Sequence, residues 1–166
     1  EAEMQALNST DPSTNSVALF AQTAATHGFS TIWGPIRVTL DNVSDAAIQV
    51  MFNAGLGGIA LQEQQFIKNA CVDDRAAAVH STVTRYRNLA GGNSIHVTVQ
   101  IMPSTCLEGD TYAQNHENEC GPASSVPFSH CASFVNAVLP NADSIAIWAM
   151  GTDRNDLDDL ISVLRQ

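Results

Sequence analysis

The sequence predicts an α/β fold, a single-domain layered α/β sandwich stabilised by two disulfides. Helix-type and strand-type segments alternate along the chain, which is typical of this fold class. The length of 166 residues suits one hydrophobic core. The alternative is an α+β, ferredoxin-like arrangement with an antiparallel sheet. We expect residues 1–13 to form a flexible N-terminal segment and residues 14–166 to form the single domain.

The first third of the chain combines helix and strand patterns. Apolar residues recur at helical spacing in STNSVALFAQTAATHG, residues 13–28, between cap residues and a terminal glycine. The segment TIWGPIRVTLDN, residues 31–42, alternates in polarity and predicts a strand. Pro35 cannot donate to a sheet, which favours an edge position or pairing that begins after it. Trp33 lies opposite the apolar face of this strand and is expected to be exposed.

The middle of the chain contains the longest helix pattern. VSDAAIQVMFNAG, residues 43–55, predicts a helix capped by its serine or first aspartate. LGGIAL, residues 56–61, is a candidate short buried strand. Apolar residues then repeat at intervals of three and four between residues 63 and 89, with a possible break around Cys71.

The last part of the chain contains two strand patterns and two helix patterns. SIHVTVQIM, residues 94–102, alternates strictly and predicts a strand with one polar face. SIAIWAM, residues 144–150, is apolar on both faces, as in a central strand. Helices are expected within residues 127–140 and 152–166, the second one capped by its threonine or first aspartate.

The charge balance argues against a nucleic-acid partner. Seven basic residues face 17 acidic ones, and the formal net charge is −10. Binding to phosphates requires a basic surface, which this composition does not provide. The sequence also lacks a run of 18 apolar residues, so no membrane span is expected.

The cysteines predict a secreted, extracellular protein. The four cysteines are an even number without a CxxC spacing, so two disulfides are the default interpretation. Asn8 and Asn42 each begin an N-glycosylation acceptor pattern, which is consistent with a glycoprotein of the secretory pathway.

The acidic segment CLEGDTYAQNHENEC, residues 106–120, raises the question of a metal site. Metal binding would need Cys120 as a free thiolate, and the segment has no HExxH spacing. We therefore expect no metal and no cofactor, but a solvated loop closed by a disulfide between Cys106 and Cys120. Cys71 would then pair with Cys131, although four cysteines allow three connectivities. Within the loop, three polar residues are candidates for partner binding together with Trp33. They are His116, Glu117 and Glu119.

Two functional hypotheses are consistent with the motifs of the sequence. The chain has no GxSxG, no GxxxxGK[ST] and no GxGxxG pattern. The preferred hypothesis is a secreted protein, like a toxin or an effector, that binds an extracellular protein or glycan. The alternative is a small extracellular hydrolase or lyase. It would use His80 and His96 for acid–base chemistry together with the carboxylate of Asp73. A carboxylate can orient a histidine whose pKa is near neutral.

Overall fold

The computed structural model describes residues 2–35, 37–64, 67–149 and 152–165. It has an α/β fold with a four-stranded parallel sheet in the order β1-β2-β3-β4. The strands are β1 Thr31–Trp33, β2 Leu56–Gln62, β3 His96–Ile101 and β4 Ser144–Ile147. The predicted α/β class and the presence of two disulfides are confirmed. The antiparallel alternative is wrong because the sheet is parallel.

Helices occupy most of the chain between the strands. The α-helices are α1 Ala2–Leu7, α2 Ser16–Thr26, α3 Arg37–Asn42, α4 Asp45–Asn53, α5 Val72–Leu89, α6 Pro103–Asn115, α7 Glu117–Cys120, α8 Ser129–Val138 and α9 Arg154–Leu164. The helix pattern predicted over residues 63–89 is α-helical from Val72 to Leu89, after the predicted break around Cys71. A 3-10 helix at Ile67–Asn69 lies before that break. Among the described residues, no helix is both long and apolar enough to cross a membrane.

The chain divides into two compact units. The first unit comprises Glu1–Leu61 and Thr82–Thr98, and the second comprises Gln62–Ser81 and Val99–Gln166. The predicted boundaries, a flexible segment at 1–13 and a domain at 14–166, stay a prediction.

In the first unit, local capping positions α2 and α4 as the sequence predicts. The Asn15 side chain accepts the N–H of Ala18 at 3.0 Å and donates to the Leu7 carbonyl at 3.0 Å. Ser44 caps α4 by accepting the N–H of Ala47. The bonds from Ala18 and Ala47 satisfy N–H groups that the first turn of a helix leaves without partners.

The predicted strand over residues 31–42 is wrong beyond Trp33, because residues 37–42 form α3. Pro35 has no N–H for a sheet ladder, and its fixed φ suits the approach to a helix. The predicted faces are also reversed, since Ile32 is 53% exposed whereas Trp33 is half-buried.

In the second unit, the alternation of β3 is as predicted. Val99 and Ile101 are fully buried, and Gln100 between them is half-buried. The segment at 144–147 is half-buried and last in the strand order, so its prediction as a central strand is wrong. Exposed Asp153 caps α9, as expected, by accepting the N–H of Asn155 at 2.8 Å.

The predicted disulfide pairing is wrong. Cys71 pairs with Cys120, and Cys106 pairs with Cys131, with Cα–Cα distances of 5.0 and 5.3 Å. The predicted solvated loop is instead mainly helical, since it contains most of α6 and all of α7. Roughly 13 Å of helix axis therefore separates Cys106 from the end of α6, more than the roughly 7 Å that two bridged Cα atoms allow.

Candidate functional site

A polar cleft of about 230 Å³ lies in the second unit beside the Cys71–Cys120 disulfide. Its lining carries two carboxylates, one imidazole and several hydroxyl groups. The side chains relevant to chemistry are Asp73, Asp110, Ser124, Ser129, His130 and Ser133. Acid–base groups thus come together in this cleft.

Asp110 in this cleft serves as a cap for α8. Its Oδ2 accepts the N–H of Phe128 at 2.5 Å, and its Oδ1 accepts the N–H of His130 at 2.8 Å. Phe128 has a φ of 65°, a left-handed conformation at the start of the helix. The carboxylate, on a residue only 8% exposed, thereby supplies acceptors that the first turn of α8 requires.

The His130 side chain is held by a hydrogen bond to the backbone of the 3-10 helix. Its Nε2–H donates to the Ile67 carbonyl at 3.1 Å, and the residue is 6% exposed. Burial lowers the pKa of His130 below 6.5, against the opposing effects of Asp110 and of the carbonyls of Ile67 and Ala70. The imidazole is therefore held as a neutral, oriented donor.

Gly109 makes this arrangement possible. A Cβ at this position would lie 2.6 Å from His130 Cδ2 and 2.9 Å from the Ile67 carbonyl oxygen. Only a residue without a side chain lets α6 approach the imidazole so closely. A side chain at position 109 would therefore push the His130 ring away from α6.

Asp73, the carboxylate of the predicted acid–base pair, also lines the cleft. It lies in the first turn of α5 and is exposed, in contrast to Asp110. The structure places it in the same cleft as His130, a histidine that the sequence analysis did not select. Asp73 is therefore the accessible carboxylate of this cavity.

The two predicted catalytic histidines belong to different units. His80 is half-buried on α5 in the second unit, where its Nε2–H donates to the Ala137 carbonyl at 2.9 Å. His96 begins β3 in the first unit and is exposed. The His80 ring thus has a backbone partner, and the acid–base role of the pair stays a prediction.

The predicted binding residues of the acidic segment lie around the junction of α6 and α7. His116 Nδ1–H donates to the Tyr112 carbonyl at 2.8 Å, and the two rings stack with centroids 4.0 Å apart. Glu117 accepts the N–H of Ala123 at 3.3 Å, and Glu119 is exposed. In the described ranges, no group of three or more His, Cys, Asp or Glu residues could hold a metal ion.

The two predicted glycosylation sites contact each other in the first unit. The Asn8 side chain donates to the Asn42 carbonyl at 2.9 Å and accepts the N–H of Ser44 at 2.8 Å. Asn42 is exposed, whereas Asn8 is half-buried. Use of either sequon stays a prediction.

The sequence analysis missed Asp110 and His130, which are 20 residues apart. The signal that relates them is the disulfide connectivity, since Asp110 follows Cys106 by one helical turn and His130 precedes Cys131. Only the pairing of Cys106 with Cys131 brings these two positions together. Comparison of the chain with family models, curated proteins and solved structures finds no match.

Proposed function

We propose that the protein acts outside the cell by binding a partner, either a glycan or a protein. Two disulfides support an oxidising compartment, because such bonds persist outside the cytosol. Two glycosylation patterns in the sequence agree with that compartment. A toxin-like or effector-like role would be one use of such binding.

The observation that carries this proposal is how three buried or half-buried polar groups are used. Asp110 accepts backbone N–H groups, while His130 and His80 donate to backbone carbonyls. Each of these hydrogen bonds has a structural purpose, because it satisfies a helix N–H or a backbone carbonyl, and it accounts for the position of the group without a substrate. Their chemistry thus maintains the fold, which favours binding over catalysis.

Exposed aromatic side chains give independent support. Phe20 is 66% exposed and Phe29 is 70% exposed in the first unit, and Trp148 is 40% exposed in the second. Large apolar rings left in contact with water are typical contact points for partners. Trp33, half-buried at the end of β1, is a further candidate contact.

The net charge restricts the partner's chemistry. At −10, the chain repels polyanions such as nucleic acids and sulfated glycans. The acidic segment around His116, Glu117 and Glu119 adds to this repulsion. A neutral glycan or a neutral to basic protein surface is therefore favoured.

The hydrolase or lyase that uses His80, His96 and Asp73 remains the second candidate, since Asp73 is accessible in the cleft. The test measures saturable binding of the oxidised protein to immobilised glycans and extracellular proteins, beside turnover of ester, peptide and glycoside substrates. Saturable binding without turnover is the expected result. Turnover that disappears in His80→Ala, with no saturable binding, would replace the proposal by the alternative.

A further inference from the structure

We propose that the second unit binds a neutral oligosaccharide at the carboxyl ends of β2, β3 and β4. The proposal rests on the binding function above and names its partner class. The side chains that carry it are Gln62, Gln64, Gln100 and Trp148. In open parallel α/β sheets, ligands bind outside the carboxyl ends of the strands, usually where the strand order reverses. The order β1-β2-β3-β4 has no reversal, so the site is argued from its side chains.

The three glutamines lie on one face of the sheet. Val99 and Ile101 on β3 are fully buried, so Gln100 between them points to the opposite face. The N–H of Glu63 donates to the Gln100 carbonyl at 3.1 Å, and this register places Gln62 beside Gln100. All three amides are half-buried, which leaves part of each side chain accessible to a ligand.

Gln64 links the three amides and retains an unused acceptor. Its Nε2 lies 3.5 Å from Gln62 Oε1 and 3.3 Å from Gln100 Oε1. Its own Oε1 is buried and has no hydrogen-bond partner in the part of the chain that the structure describes. A buried acceptor without a donor is uncommon, and a turn of the Gln64 amide toward the open face would let a ligand hydroxyl group supply that donor.

Trp148 extends the same face to β4. Its N–H donates to the Ile101 carbonyl at 2.8 Å, so Ile147 lies beside Ile101 and Trp148 lies on the side of Gln100. Ile147 lines an apolar pocket with residues of α8 and α9, which confirms that this neighbour faces the helices. Trp148 is 40% exposed, and its strand lies two strand spacings, roughly 10 Å between backbones, from the strand of Gln62.

The charged pair next to the glutamines in the sequence lies on the helix side of the sheet. Glu63, the neighbour of Gln62 and Gln64, is 0% exposed and forms an ion pair with Arg75 on α5. The four proposed contacts are therefore three amides and one indole, without a formal charge. Amides both donate to and accept from hydroxyl groups, and an aromatic face covers the apolar side of a sugar ring. This combination fits a neutral oligosaccharide better than an ionic ligand.

The experiment uses neutral hexasaccharides of glucose, mannose and N-acetylglucosamine as probes, and a heparin hexasaccharide as the anionic control. The chain has two tryptophans, so Trp33→Phe leaves Trp148 as the fluorescent reporter. We expect at least one neutral probe to change its emission saturably, and the heparin probe to leave it unchanged. In isothermal titration of the otherwise unchanged chain, Trp148→Ala and Gln64→Ala should each weaken binding of that probe about five- to tenfold.

Two further variants separate a lost contact from lost folding. Gln64→Glu keeps the side-chain shape and should also weaken binding, because it removes the donor that holds Gln62 and Gln100 in place and puts a charge on a face proposed for a neutral ligand. Leu19→Ala, on α2 in the first unit and 49% exposed, should leave the affinity unchanged. Circular dichroism and thermal unfolding establish that each variant is folded.

The outcomes distinguish this proposal from the broader one. If none of the neutral probes binds, the oligosaccharide proposal is wrong. If a probe binds but folded Trp148→Ala and Gln64→Glu retain full affinity, the proposed face is wrong and the binding function stands. Saturable binding of an extracellular protein alone would also leave the binding function in place and overturn this inference.

Discussion

Asp110 on α6 accepts the backbone N–H of His130 on α8 at 2.8 Å. One helix therefore supplies the N-terminal cap of another. The disulfide between Cys106 and Cys131 joins the same two helices within one turn of this contact. The hydrogen bond and the disulfide together restrain the relative position of α6 and α8, which form one wall of the polar cleft.

The cap predicts a specific cost for Asp110→Asn. The substitution replaces one acceptor oxygen by an N–H₂ group that faces backbone donors, so unfolding should become easier by about 1–3 kcal/mol. Asp73→Asn is the matched control, because Asp73 lines the same cleft but is exposed. Urea denaturation of both variants measures the difference. Equal stabilities would contradict the capping role of Asp110.

The connectivity predicts the outcome of disulfide mapping. Proteolysis without reduction should release peptides that link Cys71 to Cys120 and Cys106 to Cys131, and alkylation should find no free thiol. The bridges span sequence separations of 49 and 25 residues. On the chain-entropy model their separate removal costs roughly 4 and 3.5 kcal/mol. A peptide that links Cys106 to Cys120 would disprove the pairing.

Burial of His130 predicts that acid destabilises the protein. Its pKa is lowered in the folded state, so below pH 6.5 the unfolded chain binds more protons at this site. The stability contribution is therefore complete above 6.5 and declines as the pH falls through that value. Unfolding free energies between pH 8 and pH 5 should fall less steeply in His130→Gln than in the unchanged protein. An identical slope would show that His130 titrates normally.

The two arginine–carboxylate pairs should differ in their contribution to stability. Arg75 pairs with Glu63, which is fully buried, whereas Arg85 pairs with the exposed Asp45. Arg75→Met leaves a buried carboxylate without its cation and should cost about 3–5 kcal/mol. Arg85→Met should cost less than about 1 kcal/mol. Similar losses in chemical denaturation would mean that Glu63 is not buried as described.

The local features of the fold were predictable where a short segment determines them. The caps at Ser44 and Asp153 and the alternation around Gln100 depend on neighbouring residues, and all three are present. The strand beyond Trp33 was mispredicted because an alternating pattern outweighed Pro35, which ends the pairing.

The candidate sites could not be predicted because they depend on contacts across the sequence. Asp110 reaches His130 only after α6 and α8 pack together, and Gln64 reaches Gln100 only through the register of β2 and β3. The predicted pairing of Cys106 with Cys120 does not relate α6 to α8, whereas the observed pairing with Cys131 does. The exposure of Trp148 likewise follows from the position of β4 in the strand order.

Mass analysis of the bound saccharide tests the central claim, binding without catalysis, most directly. The oxidised protein is saturated with the neutral hexasaccharide that binds it, and the complex is isolated after prolonged incubation. The bound carbohydrate is then released, and its molecular mass is measured by mass spectrometry. We expect the intact hexasaccharide at one equivalent per chain, since the four proposed contacts are three amides and one indole, and none of them is an acid or a base. Recovery of shorter saccharides that depends on Asp73 or His80 would contradict the account and identify the protein as a hydrolase or lyase.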